Sequence, residues 1–255
     1  MEIIFLGTGG GRFNMVKQIR RTGGWRINGS LTFHVDPGPG ALFSSLKYKQ
    51  DAKKIDAIVV THNHIDHTND TGLLIEAFAI YGKKNGFLIG SESVIYGDEK
   101  GDRGVSNYHL NMLKKYWVAK PGQEMKLSIK NKRFSLHATK VRHEDKTGFG
   151  FLLKLDGKTI GYTSDTEYFE GIGKQYRGSD VLIVNCLKPK NDKIPGHLDT
   201  SSASMLISEA MPALAIITHL GIRMLMVGPK REAKKIQRQT GVATVAAHDG
   251  MKVIL

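Results

Sequence analysis

Short apolar runs of strand length alternate with helix-spaced segments along all 255 residues. Residues 1–6, Met-Glu-Ile-Ile-Phe-Leu, predict a first strand that runs directly into Gly7-Thr8-Gly9. Leu31–Asp36 reads as a strand ending in Asp-Pro-Gly, followed by a short helix over Ala41–Tyr48. Ile55–Val60 is short, β-branched and bounded by charge, the pattern of a buried strand. Thr71–Tyr81 places Leu73, Leu74, Ala77, Phe78 and Tyr81 on one helical face. Gly86–Gly90 is strand-like, and Ser91–Tyr96 begins a short helix. Residues 97–124 are mostly polar and read as an insertion or long loop.

The second half repeats the alternation. Met125–Lys130 and Arg133–Lys140 predict a hairpin around Asn131-Lys132, and Phe149–Leu155 and Thr159–Thr163 another around Asp156-Gly157, a strong two-residue turn signal. Val181–Asn185 and Leu214–Thr218 read as buried strands flanking a helix over Thr200–Met211. Pro229–Gln239 reads as a basic amphipathic helix, and Val242–Ala246 and Met251–Leu255 as closing strands. Strands then helix, given twice, predict a mixed α/β (α+β) fold over 1–255 as a single domain, with two β-rich layers between helices.

Composition narrows the class. At 40% apolar and 24% charged, the chain reads as an ordinary globular protein rather than a disordered one. Eighteen consecutive apolar residues occur nowhere, and residues 1–6 lack the basic, then long apolar pattern of a signal peptide, so no membrane partner is expected. The lone Cys186 excludes an internal disulfide and a thiolate-rich zinc site, and suits a reducing, cytoplasmic setting. Lys and Arg total 37 against 24 acids, a net +13 that favours polyanionic partners, nucleic acid foremost. Oligomeric state is not fixed by the sequence; a homodimer stays open.

Chemistry concentrates just after the Ile55–Val60 strand, in Thr61-His62-Asn63-His64-Ile65-Asp66-His67. Imidazoles at i and i+2 on a bent loop can converge on one ion, while Asp66 and His67 reach a second. Such donors suit zinc, and also manganese or iron. His143, Asp165 and His219 each follow the end of another predicted strand. Taken singly, each reads as readily as a capped loop residue. Together with the first cluster, five His and two Asp are expected to meet on one rim of the packed sheets.

His-x-His-x-Asp-His after a strand, then a His, an Asp and a His, resembles the metallo-β-lactamase superfamily. The resemblance runs from Phe5-Leu6-Gly7-Thr8-Gly9 to His248-Asp249-Gly250-Met251. It implies a four-layer αββα sandwich and two divalent metal ions. By position, His62, His64 and His143 would hold one ion, and Asp66, His67 and His219 the other. Asp165 would bridge them, and Asp36 would brace the His loop. A bridging carboxylate would hold the two cations about 3.5–4 Å apart, so that a shared water loses a proton near neutral pH, and Asp66 could also orient that nucleophile.

Within the superfamily the chain looks most like the phosphodiesterase branch, tRNase Z and PhnP-like proteins. His219-Leu-Gly-Ile-Arg223 resembles that branch's Thr-His-x-x-x-Arg, which would set Arg223 near phosphate. Gly196-His197 resembles its Gly-His element, which would let His197 donate a proton to a leaving oxygen. Arg12, Lys17, Arg20, Arg21 and Arg26 lie in an acid-free stretch flanked by glycines and read equally as a phosphate clamp or a solvated loop. The run Lys230–Arg238 reads as the outer face of a helix, and His248 finds no metal position. Two departures stand out. His143 and Asp165 are too close for the tRNase Z exosite arm, and the branch's His-Glu-Ala-Thr-like element reads Asn185-Cys186-Leu187-Lys188, without its acid. Aromatics in 97–124 (Tyr108, Tyr116, Trp117) could cap the site or simply pack. The expected function is a metal-dependent phosphodiesterase acting on RNA, DNA or a small or cyclic nucleotide. Alternatives are a lactone or thioester hydrolase on the same site, or a non-catalytic nucleic-acid-binding protein of this fold.

Overall fold

The computed structural model describes residues 1–79 and 84–255. A first sheet takes β1 (Glu2–Phe5), β2 (Trp25–Asn28), β3 (Thr32–Val35), β4 (Ala57–Val60), β5 (Phe87–Gly90) and β6 (Lys115–Val118). The second takes β7 (Glu124–Ile129), β8 (Lys132–Lys140), β9 (Phe149–Leu155), β10 (Lys158–Tyr162), β11 (Val181–Lys188), β13 (Leu214–Thr218) and β14 (Thr244–Ala246), with β12 (Leu198–Asp199) paired to β11. The last strand, β15 (Lys252–Ile254), returns to the first sheet beside β1. Six short helices accompany the first sheet: α1 (Arg12–Lys17), α2 (Ala41–Lys47), α3 (Ile65–Thr68), α4 (Thr71–Phe78), α5 (Glu92–Tyr96) and α6 (Asn107–Met112). Three follow in the second half: α7 (Thr200–Ala210), α8 (Ile222–Val227) and α9 (Pro229–Thr240).

Period-two alternation assigns each strand residue to one of two cores. In β4, Ala57 and Val59 face the second sheet, while Ile58 and Val60 face the helices with Leu74, Ile75 and Val94. In β11, Val181 and Ile183 face the first sheet, and Leu182, Val184 and Cys186 pack with Leu206, Ile207 and Ile236 of α7 and α9. Aromatic pairs lock the sheets together: Trp25 stacks on Phe151 at 6.2 Å and Phe33 meets Phe134 edge-on at 5.1 Å. The result is the expected αββα layering. Among the described residues, no helix is long and apolar enough to cross a membrane.

Three sequence expectations need correction. The basic 12–26 stretch is no simple loop, because it holds α1 and the start of β2. Its Arg26 is 1% exposed and spent on the Asp51 carbonyl and the Ser45 hydroxyl, so it cannot clamp phosphate. Residues 97–124 are no structureless insertion, because β6 adds to the first sheet beside β5 and Trp117 stacks on Phe87 at 5.5 Å. Polar composition hid a short edge strand whose apolar residues are only half-buried. Glu232, inside the cation run of α9, is fully buried and accepts from the Thr200 hydroxyl and the Lys190 N–H. The predicted helix over Thr71–Tyr81 is helical to Phe78; its Tyr81 lies outside the described residues.

Candidate metal centre

β8, β10 and β13 run in one direction through the second sheet, so their C-terminal ends share a rim. His143, Asp165 and His219 follow those ends, and the His62–His67 turn follows β4 opposite them. All seven predicted residues meet there. Donor atoms of His62, His64 and His143 lie within 4.8 Å of one another, and so do those of Asp66, His67 and His219. Between the two triads sits Asp165, whose Oδ2 is 3.4 Å from both His67 Nε2 and His219 Nε2 and 3.9 Å from His62 Nε2. His197, from the loop before β12, places Nδ1 3.5 Å from the same oxygen.

Backbone strain collects at this rim. Asp36, Ser164 and His219 all hold a left-handed φ, at 48°, 54° and 57°, a conformation that costs non-glycine residues on the order of 1–3 kcal/mol each. Gly10 lies flat against the His219 ring: a Cβ there would come within 2.2 Å of it.

Hydrogen bonds around the cluster decide which nitrogens carry protons. Asp36 accepts from the Thr61 N–H and hydroxyl, both at 2.8 Å, and from His67 Nδ1 at 2.9 Å. A carboxylate only accepts, so His67 carries a hydrogen on Nδ1 and turns Nε2, the nitrogen that would bind an ion, to the cluster. Because the Thr61 hydroxyl gives its hydrogen to Asp36, its oxygen accepts from His62 Nδ1 at 3.2 Å. His62 Nε2 is thereby a lone pair, buried and without a hydrogen-bond partner among the described residues. His143 donates Nδ1 to the Gly196 carbonyl at 2.9 Å, which leaves its Nε2 bare 3.1 Å from His64 Nδ1.

Lone pairs gathered at this spacing repel unless a cation lies among them. The donor set therefore fits metal ions. Burial and charge pull the individual groups in opposite directions. Burial alone would lower His67, but Asp165, Asp66 and Asp36 raise it well above the ordinary imidazole value. Burial, then the neighbouring His67, pushes His62 well below it. Burial would raise Asp165 and Asp66, yet the surrounding imidazoles hold both far below the usual carboxylate range. Burial lowers His197 to about 4 against the pull of Asp165, so it is neutral at pH 7.

A cleft of about 660 Å³ opens over His64, His143 and His197, walled by Arg142, Lys146, Glu144 and Glu167. On the far side of His64 acids outnumber bases in the wall, with Asp98, Glu99, Asp102 and Asp145 against Lys100 and Lys146. Part of 97–124 thus flanks the site, and Asn63 Nδ2 donates to the Asp102 carbonyl. The aromatics of that segment do not: Tyr108 is exposed against His109 and Trp117 packs on the sheet. Arg223 is not brought to the cluster; it pairs with Asp192 at 3.0 Å and is largely exposed. His248 is exposed, and its ring Nδ1 lies 3.2 Å from the Asp249 carbonyl rather than at the cluster. Asp249 instead ties the first loop down, accepting from Thr8 and from the Arg21 N–H. Sequence reasoning passed over Tyr162 and named Asn185 only as the first residue of a motif that lacks its acid; a polar residue late in an apolar strand marks a position without showing whether it packs or positions a ligand.

Residues 32–220 match the family described as the beta-lactamase superfamily domain. The uncharacterized protein MJ1374 of Methanocaldococcus jannaschii is 38% identical, over 100% of this chain and 95% of that one. The crystal structure of the metallo-β-lactamase fold protein YhfI from Bacillus subtilis is similar at TM-score 0.78 and 21% identity, covering 99% of this chain and 98% of that one. Human tRNase Z, short form, is similar at TM-score 0.72 and 18% identity, covering 100% of this chain and 99% of that one.

Proposed function

This chain belongs to the metallo-β-lactamase superfamily and is a metal-dependent hydrolase, and from that premise we propose that it cleaves phosphodiesters on a pair of divalent cations, zinc foremost. In this reading His62, His64 and His143 would hold one ion and Asp66, His67 and His219 the other, with Asp165 turning Oδ2 toward both triads. The observation that carries it is the position of that oxygen, 3.4–3.9 Å from donor nitrogens of both triads. Bound there, the ions would supply an easily deprotonated water and positive charge for the group being cleaved.

The chain's own residues do the rest. Arg142 and Lys146 on the cleft wall offer charge to a phosphate, and Arg142 is steadied over the Phe169 ring at 4.8 Å. His197, neutral at pH 7, acts on the leaving oxygen as an N–H donor rather than as an imidazolium. A charged wall, with no tyrosine among the described residues that line it, favours a phosphodiester over a lactone or thioester. The acids beyond His64 would repel a polyanion extended that way. The fitting substrate is therefore a small or cyclic nucleotide, or the end of an RNA or DNA strand.

The test is hydrolysis of bis(p-nitrophenyl) phosphate by zinc- or manganese-reconstituted protein. Turnover should appear, and should fall at least about 100-fold in Asp66→Ala and Asp165→Ala. Turnover of a thioester or lactone but not of the phosphodiester would replace this reading with the carbonyl hydrolase.

A further inference from the structure

We infer that Asn185 is a positioning residue that selects which oxygen Asp165 presents to the cluster, and that Asp36 sets its orientation through Tyr162. The four residues form one buried chain of hydrogen bonds with a single permitted direction. Asp36 Oδ2 can only accept, so the Tyr162 hydroxyl, 2.9 Å away, gives its hydrogen there. Having spent that hydrogen, Tyr162 Oη must accept, and Asn185 Nδ2 donates to it at 3.1 Å. The second hydrogen of the same amide goes to Asp165 Oδ1 at 2.7 Å. Flipping the amide would set its carbonyl oxygen against the Asp165 carboxylate and face it with a hydroxyl that has no hydrogen left. The observed orientation leaves Asn185 Oδ1 buried and unpartnered among the described residues, so the two donor bonds prevail over an orphaned acceptor.

Two consequences follow for Asp165. Its Oδ1 is occupied from behind, so Oδ2 alone faces His62, His67 and His219. Its carboxylate is also coupled to His67, because Asp36 receives both the Tyr162 hydroxyl and His67 Nδ1 on the same oxygen. The Asn185–Tyr162–Asp36 chain therefore joins the shared ligand to a ligand of one triad. An acid at position 185 would set a second carboxylate 2.7 Å from Asp165; the amide supplies a donor in its place.

This inference rests on the part of the proposed function in which the cluster holds two ions, and not on the substrate. The experiment is competition for Zn²⁺ between a chromogenic chelator and the full-length protein, comparing wild type, Asn185→Ala, Tyr162→Phe and the double variant, with thermal melting of each metal-free form. Asn185→Ala should weaken zinc binding about 10- to 100-fold, Tyr162→Phe should weaken it less, and the double variant should be no worse than Asn185→Ala alone. Affinities within twofold of wild type in both single variants would overturn the inference, as would losses that multiply in the double variant. If Asn185→Ala does not fold, Tyr162→Phe decides alone, by a loss of zinc affinity or its absence. Wild type that binds no zinc would instead sink the two-ion reading itself.

Discussion

Asp36 shows how one side chain can set the protonation pattern of a whole site. It lies 3% exposed at a left-handed φ and accepts from Thr61 twice, from His67 and from Tyr162. Through these bonds it fixes the tautomer of His67 directly and that of His62 by way of Thr61. Asp36→Asn keeps the shape but turns one acceptor into a donor aimed at another donor. We expect a folded protein that loses about 1–3 kcal/mol of stability and binds zinc about 10- to 100-fold more weakly, as read by urea unfolding and by metal competition. At this scale the sequence exposed the residues that carry obvious chemistry and none of the geometry that orients them. His62 and Asp165 are visible as types at strand ends. Tyr162 and Asn185 are not, because a Tyr or Asn in an apolar strand looks the same whether it packs or positions a ligand.

Among the elements, the β9–β10 hairpin was legible because its turn chemistry is local. Asp156 and Gly157 take φ of 50° and 74°, and Asp-Gly is the pair that tolerates such a turn. What the pattern could not show is that Asp156 also reaches the other sheet, accepting from the Ser30 N–H at 2.7 Å. Hydrogen bonding to Ser30, from its side chain first and from this N–H second, holds the Asp156 carboxyl below its usual value. The sign of the pH effect follows. A lowered folded-state value means the contribution is fully present above the unfolded carboxylate value of about 3.9 and is lost as pH falls through the lower folded value. Melting curves of wild type and Asp156→Ala should therefore differ at neutral pH and converge in acid. A gap that persists unchanged at low pH would show that the bond does not act through the ionised carboxylate. β2 and β6 escaped the reading for a different reason: four-residue strands with charged residues among them carry too little period-two signal to stand apart from loops.

For the molecule as a whole, the donors come from both sheets: His62, His64, Asp66 and His67 follow β4 of one, and His143, Asp165 and His219 follow strands of the other. Ions bound there would staple the two layers together. At a zinc concentration 100-fold above the dissociation constant, one site adds about 2.7 kcal/mol, which for a chain of this size raises Tm by roughly 5–10 °C. Calorimetry with zinc and after chelation checks this, and an unchanged Tm would mean that the metal does not bridge the layers. Turn residues and strand alternation act within a few residues of themselves, and each of the seven donors follows closely on a strand end, so the sequence alone determined the αββα layering and named the donors that meet on the rim. The direction of the Asn185 amide, the burial of Arg26, the pairing of Arg223 with Asp192 and the charged walls of the cleft each depend on residues far apart in the chain. Only packing brings those partners to hydrogen-bonding distance, and so only the tertiary structure decided them.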